Sequence, residues 1–336
     1  MRKILVVAHT GRDEALEATY SVVTQLISSN VTPVMTVTDF KEFKSWVTAK
    51  HNSENSISGV LQLAEGESQD DIELAMVVGG DGTILKAAEI VRDAAIPLMG
   101  VNLGHVGFLA ESEREELTET VGHAVAQNYV IKERMTLDVD VFVDREKVYS
   151  TWALNEATVE KSARERMLEV VIEVESQPLS SFGCDGIVVS TPTGSTAYAF
   201  SAGGPIVWPA VEAILVVPLS AHALFARPLV IKPSAPIAVE VMQRSAGHGV
   251  LWCDGRRTRE LPPGARVEFR ESATPVRLAR LHEATFTERL VRKFALPVAG
   301  WRGAAHGGNR GDAKGLFGTG NETMASLGDG NEGKKN

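Results

Sequence analysis

The sequence predicts an α/β domain with a parallel sheet, followed by a second domain of mostly β structure. Two observations carry this. In the first third, short apolar runs that end at turns alternate with segments of helical period, the order of βαβ units with helices covering the sheet. After about Glu133 the runs become β-branched or alternate apolar and polar residues, with Pro, Gly and Asn/Asp between them. The first part is therefore expected to be Rossmann-like, with ligands bound at the loops that follow the carboxyl ends of its strands.

In order along the chain, Lys3 to Ala8 reads as a strand ending at His9-Thr10-Gly11, and Asp13 to Ile27 as a helix. A second strand falls near Val31 to Val37, and a polar stretch runs from Lys50 to Asp71. Leu74 to Val78 is a strand, Thr83 to Arg92 a helix after a glycine turn, and Pro97 to Val101 another strand. In the second part strands are expected at Leu137 to Val143, Leu168 to Val174, Gly186 to Ser190, Ile214 to Pro218, Leu229 to Ile231, Ile237 to Val241 and Arg266 to Phe269. Phe286 to Phe294 reads as a helix that returns to the first domain. These readings divide the chain into 1–132, 133–280, a returning segment 281–302, and a tail 303–336. Ten of the 34 tail residues are glycine, which predicts disorder.

The chain has 336 residues, 44% hydrophobic and 23% charged, an ordinary globular mix with room for two domains. Its 34 basic and 43 acidic residues give a net charge of −9, which argues against nucleic acid or an anionic membrane as the main partner. Two cysteines, Cys184 and Cys253, build no disulfide framework, and the scattered histidines form no zinc pattern. Ile4 to Ala8 is too short for a signal peptide, and Ala213 to Ile231 is broken by Pro218, Arg227 and Pro228. A cytoplasmic protein is expected.

Five motifs could carry chemistry. Gly79-Gly80-Asp81-Gly82-Thr83 lies between a predicted strand and a predicted helix, where glycines admit a ligand and the helix start attracts phosphate. An aspartate there either caps the helix, binds a metal ion or accepts a hydroxyl proton. Asn102 to Phe108, with Gly104, His105 and Gly107, is a second glycine loop at the same sheet edge. Asn155-Glu156 pairs an amide with a carboxylate, able to read a ribose or a base, or to be an exposed strand end. Cys184 to Pro205 runs from a buried strand into a hydroxyl-dense turn and a short helix capped by Ser195 or Thr196. Turn and cap chemistry account for only some of its hydroxyls, which favours a ligand role. Asp254-Gly255 signals a hairpin turn, beside Arg256 and Arg257, which either meet phosphate or are solvated.

Together and in this order, these motifs resemble the NAD kinases over about residues 1–302. The glycine-aspartate turn alone is shared with lipid kinases, and the block at 184–205 is far more specific. The resemblance implies transfer of a phosphoryl group from ATP or polyphosphate to the 2′-hydroxyl of the adenosine ribose of NAD, with Mg²⁺ or another divalent cation. It implies that Asp81 is catalytic, as base or metal ligand, within a phosphate loop of Gly79, Gly80, Gly82 and Thr83. Asn155 and Glu156 are implied to hold adenosine and Asp185 to meet the nicotinamide end. Thr196, Ala197, Tyr198 and Ser201 would wrap the dinucleotide, with Arg166 and Lys86 as basic contacts. Homo-oligomers, dimers or tetramers, are implied as well. The family often has Asp-Gly-Gln where this chain has Asp254-Gly255-Arg256, and histidine where it has Trp208. Two other readings are a kinase for a lipid or sugar phosphate and a non-catalytic dinucleotide sensor.

Overall fold

Three sheets organise the computed structural model, which describes residues 2–51, 55–64, 69, 71–103, 107–110, 112–113, 116–163, 167–223, 226–281 and 285–298. The first part supplies β1 (Lys3–Ala8), α1 (Asp13–Ser28), β2 (Thr32–Thr36), α2 (Val37–His51), β3 (Leu61–Leu63) and β4 (Ile72–Val78). There follow α3 (Asp81–Val91), β5 (Leu98–Asn102), the short β6 (Ser112–Glu113), α4 (Leu117–Ala126) and β7 (Val130–Arg134). The second part holds β8 (Leu137–Val143), β9 (Glu146–Ala153), β10 (Glu156–Lys161), β11 (Leu168–Val174), β12 (Gln177–Cys184) and β13 (Gly186–Ser190). After α5 (Tyr198–Ser201) come β14 (Ile214–Leu219), β15 (Leu229–Ile231), β16 (Ile237–Val241), β17 (Gly249–Cys253), β18 (Arg257–Leu261), β19 (Arg266–Glu271), β20 (Val276–Arg280) and α6 (Phe286–Phe294).

The first sheet runs β3-β2-β1-β4-β5-β20-β7, with β6 beside β5. Its pairings are parallel apart from β7, which runs antiparallel to β20. Both faces of β1 are buried: Ile4 and Val6 pack toward α1, α2 and α4, while Leu5 and Val7 pack toward α3. Burial on both faces explains why these strands read as continuous apolar runs. The face packed on α3 is also covered by Leu154 and Trp152 from the second part.

The second part folds into two antiparallel six-stranded sheets, β15-β14-β13-β10-β17-β18 and β12-β11-β16-β19-β8-β9. Alternate residues of both, such as Val139, Val159, Val170, Ile187, Val239, Leu251 and Phe269, meet in one buried core. Cys184 and Cys253 are free and lie in that core. The chain returns to the first sheet earlier than the boundary at 281 expected from sequence. It is β20, Val276–Arg280, that re-enters, pairing with β5 and β7. Arg277 and Arg280 broke up the apolar run and hid a strand whose apolar residues are Val276, Leu278 and Ala279. Helix α6 follows, opened by a capping box of Thr285 and Glu288. The tail 303–336 lies outside the described residues.

Candidate active site

The sheet edge where β1 and β4 end carries a cleft of about 510 Å³. It is lined by residues 8–12, by Gly80, Gly82, Thr83 and Lys86 of the glycine turn and α3, and by Arg256. Asp81 is the first residue of α3, with Gly80 extended before it. An α-helix leaves its first N–H groups without partners inside the helix, so this end attracts anions. The Asp81 carboxylate is half-buried and fixed from the second glycine loop: Phe108 N–H donates to Oδ2 at 3.1 Å and Leu109 N–H to Oδ1 at 3.2 Å. A Cβ on Gly107 would collide with Asp81 Oδ1, so glycine is required for this approach. Each carboxylate oxygen thus keeps acceptor capacity for a ligand. Gly104 and His105, in the same loop, lie outside the described residues.

Lys86 faces this cleft from α3, with its Nζ 2.6 Å from Asp39 Oδ1. Asp39 is buried, and its Oδ2 has no hydrogen-bond partner. The structure therefore groups Lys86 with the phosphate loop rather than with the Asn155–Glu156 pair.

That pair sits where β9 gives way to β10, and it is held by a residue that the sequence reading treated only as a turn. Buried Asp254 accepts from Leu154 N–H at 2.9 Å through Oδ2 and from Asn155 N–H at 2.7 Å through Oδ1. Asp254 N–H in turn donates to Glu156 O at 2.9 Å. Asp254 and Gly255 both have positive φ, 53° and 64°, the hairpin turn their sequence signals. On the other side, Thr191 N–H reaches Asn155 O at 2.9 Å, and the Thr191 hydroxyl donates to Leu154 O at 2.6 Å. The Ser190 hydroxyl lies 3.0 Å from Asn155 O. Gly194 packs so closely on the Asn155 carbonyl that a Cβ would overlap it.

The hydroxyl block thus has a structural job that the sequence reading did not give it. Ser190 and Thr191 clamp the 154–155 backbone, and the Ser195 hydroxyl accepts from Val207 N–H at 2.9 Å. Neither Ser195 nor Thr196 caps a helix: Thr193–Thr196 is a 3₁₀ turn, and α5 begins at Tyr198 with no side-chain cap. Thr196, Ala197, Tyr198 and Ser201 remain on the accessible side of this turn.

Glu156 is buried, and its Oε2 has no hydrogen-bond partner. Burial, and then the nearby Asp254 carboxylate, push its carboxyl up to about 8 against a hydrogen bond from the Tyr198 backbone. With Thr158, Glu160, Tyr198, Trp252 and Gly255 it lines a second pocket of about 370 Å³. A buried carboxyl oxygen without a partner, beside two partly exposed aromatic rings, suits a hydroxylated ring system such as a nucleoside. The two pockets flank one turn, with Gly255 facing the second and Arg256 the first.

Asp185 pairs with Lys161 at 2.5 Å, and its acidity is strengthened first by that bond. The Tyr198 phenol is pushed up by burial and by Glu160, Glu156 and Asp185 in turn, which places Asp185 near the second pocket. Arg166 lies outside the described residues.

A charged link joins the two pockets. Arg257 Nη2 lies 2.7 Å from Asp254 Oδ2, and its guanidinium sits 4.4 Å from the Trp152 ring centre. Glu89, two turns beyond Asp81 on α3, has Oε1 3.0 Å from Arg256 Nε and 3.3 Å from Arg257 Nε. Sequence reasoning missed Arg12, Glu89 and the load carried by Asp254. For Asp254 the available signal was an acidic turn residue directly after a strand with a buried core pattern.

Fold and site together define an α/β plus β-sandwich protein with an anion-attracting helix N-terminus at a cationic cleft. Residues 4–129 match the ATP-NAD kinase N-terminal domain and residues 154–281 the ATP-NAD kinase C-terminal domain. An NAD kinase of Leifsonia xyli is 58% identical over 302 residues, covering 90% of this chain and 97% of its own. An NAD kinase of Thermobifida fusca is 56% identical over 308 residues, covering 90% and 92%. The chain belongs to the NAD kinase family. Its fold is shared with a yeast NADH kinase solved with NADH, at a TM-score of 0.77 and 22% identity over 89% of each chain. It is shared also with an Archaeoglobus fulgidus NAD kinase solved with ATP, at a TM-score of 0.63 and 21% identity over 88% of this chain and 100% of that one.

Proposed function

We propose that this chain transfers the terminal phosphoryl group of ATP to the 2′-hydroxyl of the adenosine ribose of NAD, giving NADP. The observation that carries the reading is Asp81, fixed by two backbone N–H groups at a helix N-terminus whose neighbours Gly80, Gly82 and Thr83 line a cationic cleft. Asp81 orients the 2′-hydroxyl and takes its proton as the ribose oxygen bonds to the γ-phosphorus. The bond from that phosphorus to the β,γ-bridging oxygen breaks, and ADP leaves with the electron pair. A carboxylate suffices as base because the proton leaves late in a loose transition state. The N–H groups at the start of α3, with Arg12 and Lys86, take the donor phosphates.

On the acceptor side, Asn155 and Glu156 hold the adenosine and Asp185 faces the nicotinamide end, with Thr196, Ala197, Tyr198 and Ser201 around the dinucleotide. Arg166 completes the acceptor site. We assign 1–132 to the α/β domain, 133–280 to the NAD-binding domain and 281–302 to a segment that follows on from β20, the last strand of 133–280 and itself part of the first sheet. No group of three or more His, Cys, Asp or Glu that could hold a metal ion occurs among the described residues. Mg²⁺, or another divalent cation, would then be carried chiefly by the donor phosphates and waters, with Asp81 the candidate protein ligand if it serves the metal instead of acting as the base. When bound, it neutralises phosphate charge.

Inorganic polyphosphate is a second donor in this reading, which the open cleft supports. Cytoplasmic location is supported by two free, buried cysteines. No described helix is long and apolar enough to cross a membrane. A homo-oligomer, dimer or tetramer, is supported by the edge strand β7, where Val130 and Ile131 stay exposed.

The test is NADP formation from NAD, Mg²⁺ and ATP or polyphosphate, read with an NADP-specific dehydrogenase. Wild type is expected to form product, and Asp81→Asn to lose turnover while still binding NAD. Comparable rates in the two proteins would remove Asp81 from the chemistry. NAD binding by wild type without product would favour a sensor.

A further inference from the structure

We propose that Arg256 binds the phosphate chain of the phosphoryl donor, reaching the cleft from the β17–β18 hairpin. The inference rests on the kinase reading above. The N–H groups of the glycine turn and α3 belong to the first part of the chain, as do Arg12 and Lys86, whereas Arg256 reaches the same cleft from the β17–β18 hairpin of the second. Its backbone is fixed, because Arg256 N–H closes the turn on Cys253 O at 3.0 Å.

Its side chain is aimed as well. Glu89 Oε1 takes Arg256 Nε at 3.0 Å and leaves the two Nη groups for the cleft. A guanidinium so held presents paired donors that match two phosphate oxygens, which a lysine cannot reproduce. The neighbouring Arg257 has a different task, being committed to Asp254 and stacked on Trp152. Glutamine, which the resemblance places here in many relatives, would bring hydrogen bonding but no charge. The positive end of α3 and Arg256 thus line one cleft, which a linear run of phosphates could fill. Such a run is common to ATP and to inorganic polyphosphate.

Arg256→Gln, Arg256→Lys and, as a surface control, Arg244→Gln would be compared with wild type in the full chain. KM would be measured separately for ATP and NAD, and tripolyphosphate binding by calorimetry. Arg256→Gln is expected to raise the KM for ATP and weaken tripolyphosphate binding by about tenfold each, the scale of one charge-assisted contact. The KM for NAD should stay within about twofold, Arg256→Lys should recover part of the loss, and Arg244→Gln should recover all wild-type values. Loss confined to tripolyphosphate would support the assignment with free polyphosphate as the ligand. Loss confined to ATP would place the contact on the nucleoside and overturn it, as would unchanged values for both or an equal rise in the KM for NAD. If wild type makes no NADP, the kinase reading fails, and the tripolyphosphate titration still decides the role of Arg256.

Discussion

Glu156 is held with its proton by burial and by the Asp254 carboxylate, which gives the molecule a pH signature. Its ordinary value of 4.5 rises to about 8 in the fold. Between these two values the native state keeps a proton that the unfolded chain releases. Stability contributed by this group therefore falls as pH rises through the window, and levels off above about 8. Asp254, also raised by burial, acts in the same direction. Thermal midpoints at pH 5.5, 7 and 8.5 should fall more steeply for wild type than for Glu156→Gln; parallel profiles would contradict the burial argument. At this scale the site was partly legible. Asp81, Glu156 and Tyr198 announce themselves as reactive residue types beside glycines and hydroxyls. Glu89 and Arg12 do not, since a charged residue on a helix face or in a loop is ordinarily solvated, and only tertiary structure brings these two to the cleft.

The β17–β18 hairpin shows how one element serves two pockets. Its turn was readable from Asp254-Gly255, but not the use of the Asp254 carboxylate as the acceptor for the 154–155 backbone. Asp254→Ala would leave those N–H groups and the Arg257 guanidinium without their buried partner, at a cost of about 3–5 kcal/mol. A midpoint lower by roughly 10 °C is expected, with NAD affinity reduced in the protein that remains folded. Circular dichroism melts and NAD titration check this, and an unchanged melt would show that other contacts hold the ledge. The elements most legible in the sequence are those with an unbroken apolar or alternating pattern, whereas the interior strands β10, β17 and β20 went unread, β10 and β20 because charged or polar residues interrupt theirs. Strands β8, β11, β13 and β16 fall where their apolar patterns put them, because one or both faces are buried. Among the other unread strands, β3, β7, β9, β12 and β18 are sheet edges whose exposed side chains follow no burial period. Helix α2 buries only Asp39, Phe43 and Val47, too narrow a stripe to stand out.

Across the whole molecule, the two halves are tied by more than chain continuity. β20 inserts between β5 and β7, so the first sheet is completed by a strand that follows the entire sandwich. Arg92, buried just past α3, gathers the crossover segments: its Nε donates to Thr274 O at 3.0 Å and its Nη2 to the Ser272 hydroxyl at 2.5 Å. Its guanidinium lies 4.5 Å from the ring of Trp152, the ring that also meets Arg257. Separating the halves would expose this junction and the face of α3 covered by Leu154 and Trp152. Residues 1–296 should therefore unfold as one cooperative unit. Calorimetry is expected to give a single peak, moved upward as a whole by saturating NAD although the pocket proposed for it lies in the second half. A fragment ending at residue 135, without β20, should show no cooperative melt. Two resolved peaks in the full chain, or a cooperative melt of the fragment, would mean that the first sheet is stable without the strand the sandwich returns to it.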